Sequence, residues 1–430
     1  MTKARSVSSV RAIPTTTTGD AVTSSRRWAG TGGFVVVALA LLVIIAQAGA
    51  PSPLYPVYQA EWNLQPIVVT SIFAVYVVGL LVTLITVGSL SDHIGRRPVF
   101  LAAAVIAVVA LIVFATATNV TELIIARALQ GASVGAATGA LGAALIDLQP
   151  AARPRLAAVL NGVIPPIALT VGAVSSGFLV QFAPDPTSTV FLVFGILILA
   201  AGVLVLFIAE KNERRPGAIR SLSPTVSIPR EARRVFSAVV GCMISSWALG
   251  GLYLALGPTI VVSVLHLHSH VAGGLAVAAL TGAGAITGLA IQKTDALKSM
   301  IVGAVALIVG PALTVVALEM GSTWGFFASS LIAGIGFGAA FQSALRLLLA
   351  VAPAEGRAGL LSTVYLVSYA AFGLPSIIAG LLVPSLGLIT VVLWYAILVA
   401  VLAVIALVLQ FVLRRTRSVE KAADRREFAL

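Results

Sequence analysis

Between residues 33 and 413 the chain returns repeatedly to apolar stretches of about twenty residues, separated by short polar turns. A helix of about twenty residues rises roughly 30 Å, the thickness of a bilayer's hydrocarbon core. One soluble core cannot use so many segments of that length. Twelve are read here, over 33–50, 68–88, 98–117, 121–146, 157–181, 188–209, 235–257, 271–291, 299–318, 323–349, 358–382 and 387–413. An outer-membrane barrel would alternate polar and apolar residues in pieces of about ten, and that alternation is missing. The expected fold class is an all-α polytopic membrane protein with twelve transmembrane helices. Composition agrees, because charged residues are 10% of the chain against about 25% in soluble domains.

The charges choose an orientation. If both ends of the chain share a side with every second loop, 26 of the 27 Lys and Arg residues fall on that side. Positive residues accumulate on the cytoplasmic side of short loops, so both termini are expected in the cytoplasm of a multi-pass bacterial inner-membrane protein. The net charge of +12 then reflects contact with anionic membrane lipids, and no nucleic-acid partner is called for. The exception is Arg127, inside the fourth segment.

Residues 211–234, KNERRPGAIRSLSPTVSIPREARR, divide six segments from six. The expected organisation is a disordered tail at 1–32, a six-helix domain at 33–209, a central loop at 210–234, a second six-helix domain at 235–413 and a tail at 414–430. Gly88 and Gly288 end the second and eighth segments in equivalent places, as an internal duplication would leave them. The lone Cys242 lies within a segment, which excludes an intrachain disulfide or a thiolate cluster. A monomer is expected.

The turn GSLSDHIGRR, residues 88–97, places an acid, a histidine and two arginines between two apolar segments. With Gly88, Leu90, Asp92, Gly95, Arg96 and Arg97 in register, it resembles the turn after the second helix in the major facilitator superfamily of secondary transporters. The resemblance implies two six-helix bundles that rock about a central path. It also implies that Asp92 latches onto the start of the eleventh helix, near Arg357, while the outside is open. Independently, Gly88 permits close helix approach and Gly95 permits turn dihedrals closed to other residues. The latch set is Gly88, Asp92, Gly95, Arg96 and Arg97. In the second half, GLAIQKTDALKS at 288–299 lacks this pattern and offers Gln292 in place of the acid.

RALQG, 127–131, resembles the family's fourth-helix signature, which is associated with proton relay or with contact to charged cargo. Arg127 either faces a wet cavity or snorkels outward, with Glu122 as a possible partner at a frayed helix end. By the same resemblance, helices 1, 4, 7 and 10 line the path. Gln47, Arg127, Gln130, Asn161, Trp247 and Gln342 are the candidate substrate or coupling residues, since a buried unpaired amide costs about 1–3 kcal/mol. Each amide has an interhelical hydrogen bond as its alternative role. Tyr76, Tyr253, Tyr365 and Tyr369 add amphipathic surface.

Two proline clusters are expected to interrupt helices: PSPLYP at 51–56, as a kink or reentrant turn, and Pro165–Pro166, as a break beside Asn161. In VGAVSSGFL, Gly172 and Gly177 match the family's antiporter phrase, whereas Ala173 stands where that phrase has proline and Ser176 where it has glycine; Ser175 and Ser176 are small enough to keep close helix packing. His266, His268 and His270 present either a metal or proton-sensing loop or an exposed polar cap.

These readings combine into a secondary active transporter that exports small amphipathic organic compounds by alternating access, with the proton as coupling ion and no cofactor or metal. Uptake of a sugar or organic acid is the alternative. A membrane enzyme ranks behind both, because no nucleophile, metal cluster or acid–base pair converges in the sequence.

Overall fold

In the computed structural model the described residues are 31–208, 210, 216–223 and 226–427. The chain builds twelve long helices: α1 Thr31–Gly49, α2 Pro66–Val87, α3 Arg96–Ala115, α4 Val120–Leu148, α5 Leu156–Phe182, α6 Pro186–Leu206, α7 Arg230–Ser263, α8 His270–Ala290, α9 Ala296–Glu319, α10 Thr323–Val351, α11 Arg357–Leu386 and α12 Leu388–Glu427. Twelve segments are long and apolar enough to cross a membrane. Helices suit them because hydrocarbon offers the backbone no hydrogen-bond partner, so each segment must satisfy its own. Polar caps mark the ends: Asn119 accepts from the Glu122 amide at 3.1 Å, Ser269 from Ala272 and Ser322 from Gly325.

An even number of crossings returns the chain to its starting side, the termini side; the opposite side is called the far side. Helices α1–α6 and α7–α12 form two six-helix bundles. They meet along two seams, α5 against α8 and α2 against α11. A shift of six helices converts one seam into the other, as a duplicated architecture requires. Small residues set the seam spacing. A Cβ at Gly177 of α5 would lie 2.7 Å from the carbonyl oxygen of His270 at the start of α8.

The sequence-based bounds need four corrections. Helix α1 begins at Thr31, inside the expected tail, whereas residues 1–30 of that tail lie outside the described residues. Beyond α1 the chain continues through a 3-10 turn, Ser52–Leu54, into a short helix, Tyr55–Trp62. Pro56 sits in that helix's first turn, where its missing N–H costs nothing. Helix α5 is unbroken, with Pro165 and Pro166 inside it. Helix α12 runs on to Glu427, so the expected tail is largely helical. Of the central loop, residues 211–215 and 224–225 lie outside the described residues.

Candidate functional site

Arg127 is fully buried on α4. Its Nε donates to the Tyr55 hydroxyl at 3.1 Å, and Nη2 donates to the same oxygen. Nη1 donates to Gln130 Oε1 at 2.5 Å and to the Ala48 carbonyl at 3.3 Å. The guanidinium carbon also lies 5.0 Å from the Tyr76 ring centre and 5.7 Å from that of Tyr55. Gln130 Nε2 closes the cage by donating to the Gln47 carbonyl at 3.0 Å. Among the described residues no carboxylate pairs with Arg127. Glu122 instead accepts from the Thr118 amide at 2.6 Å, away from the cage. Arg127 therefore does not snorkel; it is a buried cation held by neutral oxygens and aromatic faces. Gln47 donates to Ser133 Oγ at 3.4 Å, while its Oε1 is buried without a partner.

The second half contributes an aromatic cluster. Trp247, midway along α7, meets Tyr369 at 4.7 Å, Phe341 at 5.3 Å and Phe372 at 5.5 Å between ring centres, edge to face. Its indole N–H is buried and unpaired. Phe372 crosses the α2–α11 seam to Phe73 at 5.0 Å. The two helices run antiparallel, so the Phe73–Phe372 contact sets Tyr76, one turn along α2, on the level of Tyr369, one turn back along α11. Arg127, Tyr76, Tyr369 and Trp247 thus form a continuous row across the seam. Among the described residues, the hydroxyls of Tyr76, Tyr365 and Tyr369 have no hydrogen-bond partner. Tyr253 differs, sharing a 2.7 Å hydrogen bond with Ser330.

Asn161 and Gln342 are tied to backbone. Asn161 donates to the Gly142 carbonyl at 3.0 Å, joining α5 to α4. Gln342 donates to the Gly162 carbonyl at 3.3 Å and accepts from Gln292 at 3.2 Å. Pro166 has no N–H, so it leaves the carbonyl four residues earlier, that of Gly162, without its helical donor. Gln342 supplies one from the other bundle. That donor compensates the carbonyl orphaned by Pro166, within a helix that runs through both prolines.

On the far side the bundles are closed against each other. Ser52 donates to the Leu254 carbonyl at 2.8 Å, Thr259 to Gln59 at 2.9 Å, and the His270 amide to Gln181 at 2.8 Å. Farther along, Thr170 and Thr281 share a 2.8 Å hydrogen bond. Among the described residues no group of three or more His, Cys, Asp or Glu side chains is arranged to hold a metal. The 266–270 loop places His266 in the left-handed backbone region and His270 at the start of α8.

On the termini side, Gly88 packs beneath Gly139 of α4, where a Cβ on Gly139 would stand 3.1 Å from the Gly88 Cα. Gly95 takes φ 104°. Arg96 pairs with Asp92, donates to Ser91 at 2.7 Å and reaches Asp147 of α4 at 3.2 Å. The Arg97 amide donates to Glu210 at 2.8 Å, and its Nη2 donates to the Leu206 carbonyl at 2.7 Å. Asp92 thus bonds within its own turn, and Arg357 donates to the Ala352 carbonyl at 3.3 Å. The central segment bridges the two instead. Ser89 donates to the Ser221 carbonyl at 2.6 Å, and the Ser227 carbonyl accepts from Thr363 of α11 at 3.2 Å. In the second half Arg346 of α10 holds the equivalent turn through the carbonyls of Ile291, at 2.9 Å, and Thr294, at 2.8 Å.

Sequence reasoning missed Tyr55, Arg346 and the linker bridge. Tyr55 was visible only as one letter of PSPLYP. Its role depends on a fold that brings residues 55 and 127 together.

The family model described as Major Facilitator Superfamily matches residues 37–318. The Multidrug resistance protein MdtL of Salmonella typhi is 27% identical over 192 residues, which are 43% of this chain and 47% of that protein. The match therefore spans about half the length of that relative.

Proposed function

The chain belongs to the Major Facilitator Superfamily, a family of transporters, and from that premise we propose that it exports small amphipathic organic compounds by alternating access. The observation carrying this reading is the aromatic row at the α2–α11 seam, where the Trp247 N–H lies beside aromatic faces without a partner. Apolar walls with a few open polar atoms accept varied amphipathic molecules without demanding one shape. The name of the multidrug resistance relative points the same way. The basic residues of the short turns support cytoplasmic termini in a bacterial inner membrane. With that orientation the closed far side faces outward and cargo is loaded from the cytoplasm.

In the cycle we propose, opening of the far side breaks the Ser52–Leu254 and Gln59–Thr259 bonds. Asp92 then turns from its local partner toward the start of α11. The proton is the proposed coupling ion and the monomer the working unit. Flux across proteoliposomes, with pH and sodium gradients imposed separately, tests the whole reading. Outward movement of amphipathic compounds driven by the pH gradient is expected. Inward accumulation of a sugar or organic acid, without outward flux of amphipathic compounds, would overturn it. A cytoplasmic signal from a reporter fused after Leu430 is expected; a periplasmic one would reverse the orientation.

A further inference from the structure

We infer that the cargo site selects aromatic organic anions over cations of the same size, with the Trp247–Tyr369–Phe372 cluster receiving the ring and Arg127 supplying the charge preference. The inference rests on the reading of the chain as a carrier of small organic molecules and specifies their class.

The charge distribution is one-sided. Arg127 is the only Asp, Glu, Lys or Arg among the fully buried polar and charged residues described. Its hydrogen-bond partners are the neutral oxygens of Tyr55, Gln130 and Ala48. Of the carboxylates near the ends of the membrane segments, Glu122 accepts from the Thr118 amide, Asp92 and Asp147 pair with Arg96, and Glu210 accepts from the Arg97 amide, while Glu61, on the Tyr55 helix, is exposed and makes no ion pair with Arg127. A buried cation without a counter-ion projects a positive potential into its surroundings, because low-dielectric walls screen it poorly. Water normally compensates such a charge. A bound anion would do so while leaving the cage intact.

The aromatic cluster lies on the path of that potential. The guanidinium lies 5.0 Å from the Tyr76 ring centre, and Phe73, one turn earlier on the same helix, meets Phe372 of the cluster at 5.0 Å, with Phe372 5.5 Å from Trp247. Trp247 contributes an N–H, a donor with no acceptor capacity, and that N–H is buried and unused. An aromatic ring bearing a carboxylate or similar anionic acceptor matches both features: apolar faces for the ring, and a donor plus a positive field for the anion. An aromatic ammonium gains the ring contacts, but it meets a like charge and brings donors to a donor. Aromatic faces alone attract cations; here the Arg127 guanidinium already lies over the adjoining Tyr76 face, and its charge opposes a second cation on the neighbouring rings.

The test is equilibrium binding by calorimetry to the purified full-length protein, using three ligands built on one ring system: a naphthoate, the matching naphthamide and the matching naphthylmethylammonium. The naphthoate should bind at least tenfold more tightly than the ammonium compound, about 1.4 kcal/mol, with the amide between them. Arg127→Gln should shrink the gap to less than threefold, whereas Trp247→Phe should weaken the naphthoate and keep the order. Equal binding of anion and cation by the wild-type protein, or tighter binding of the cation, overturns the inference whatever the variants do. An undiminished gap in folded Arg127→Gln overturns the role of Arg127. These affinities do not depend on transport direction, so an importer can satisfy them. If none of the three ligands binds and no amphipathic compound is transported, the carrier reading falls as well.

Discussion

The α5–α8 seam allows a steric test of which contacts belong to one conformational state. In Gly177→Ala the new Cβ would stand 2.7 Å from the His270 carbonyl oxygen and 3.2 Å from the Val271 Cα, both backbone atoms of the other bundle. Ordinary contact begins near 3.4 Å, so the start of α8 must retreat by about 0.7 Å. Forcing a methyl into a tight interface costs about 1–3 kcal/mol. In the proposed alternating-access cycle the cost falls on the far-side-closed state alone, because opening would separate these surfaces. The equilibrium should therefore move toward the far-side-open state by about 5- to 150-fold. Gly49→Ala is the control: its Cβ would lie 2.8 Å from the Leu169 carbonyl oxygen, an equal intrusion inside the first bundle. Both states then pay, so stability should drop with no change in population. Spin labels at Asp185 and His268, both exposed on far-side loops, report the separation of the bundles, and buried Cys242 stays unlabelled. Longer distances in Gly177→Ala and unchanged distances in Gly49→Ala are expected. Equal shifts in both variants, or none in a folded Gly177→Ala, would refute the assignment of this seam to one state.

Three further substitutions probe the cage and the turn. Tyr55→Phe removes the oxygen that accepts two guanidinium N–H groups; with about 1.5–3 kcal/mol for a hydrogen bond to a charged group, the thermal unfolding midpoint should fall measurably, and an unchanged midpoint would reject the cage as a stabilising element. Asp92→Asn breaks a pair whose acid is 56% exposed, worth no more than about 1 kcal/mol, so abundance should hold while the inward- and outward-open populations move; wild-type populations by distance measurement would defeat the latch. Gly95→Ala forces an alanine to φ 104° and sets its Cβ 3.0 Å from Glu210; about 1–3 kcal/mol of strain should lower the yield of folded protein, and wild-type yield and melting would show that the turn relaxes freely.

Most of the fold was legible because membrane spans advertise themselves through length and hydropathy. Two of the four corrections, at the stretch after α1 and in α5, concern proline read as a stop signal; the start of α1 and the extension of α12 do not. In α5 the orphaned Gly162 carbonyl finds Gln342 in the other bundle, a partner that no local rule could supply. After α1 the proline run does end the first helix, yet Pro56 then sits in the first turn of the next one. Local chemistry was read correctly there, but a proline's meaning depends on whether it falls at the start or in the middle of a helix.

The site was legible in proportion to how local its contacts are. Arg127 and Gln130 are three residues apart on one helix, so their hydrogen bond follows from helical spacing. Tyr55 reaches Arg127 only because the fold sets the stretch after α1 beside α4, and that same stretch carries Ser52 and Gln59 to the opposite bundle. This joins two features that the sequence presents separately. The far-side contacts and the guanidinium cage share one short segment, Ser52–Gln59, so movement of that segment when the far side opens must disturb the Tyr55 oxygen. A buried cation that loses this acceptor needs another, from water or from cargo. In the proposed alternating-access cycle, Tyr55 would carry the coupling between opening and binding through hydrogen-bond satisfaction, without requiring a buried carboxylate.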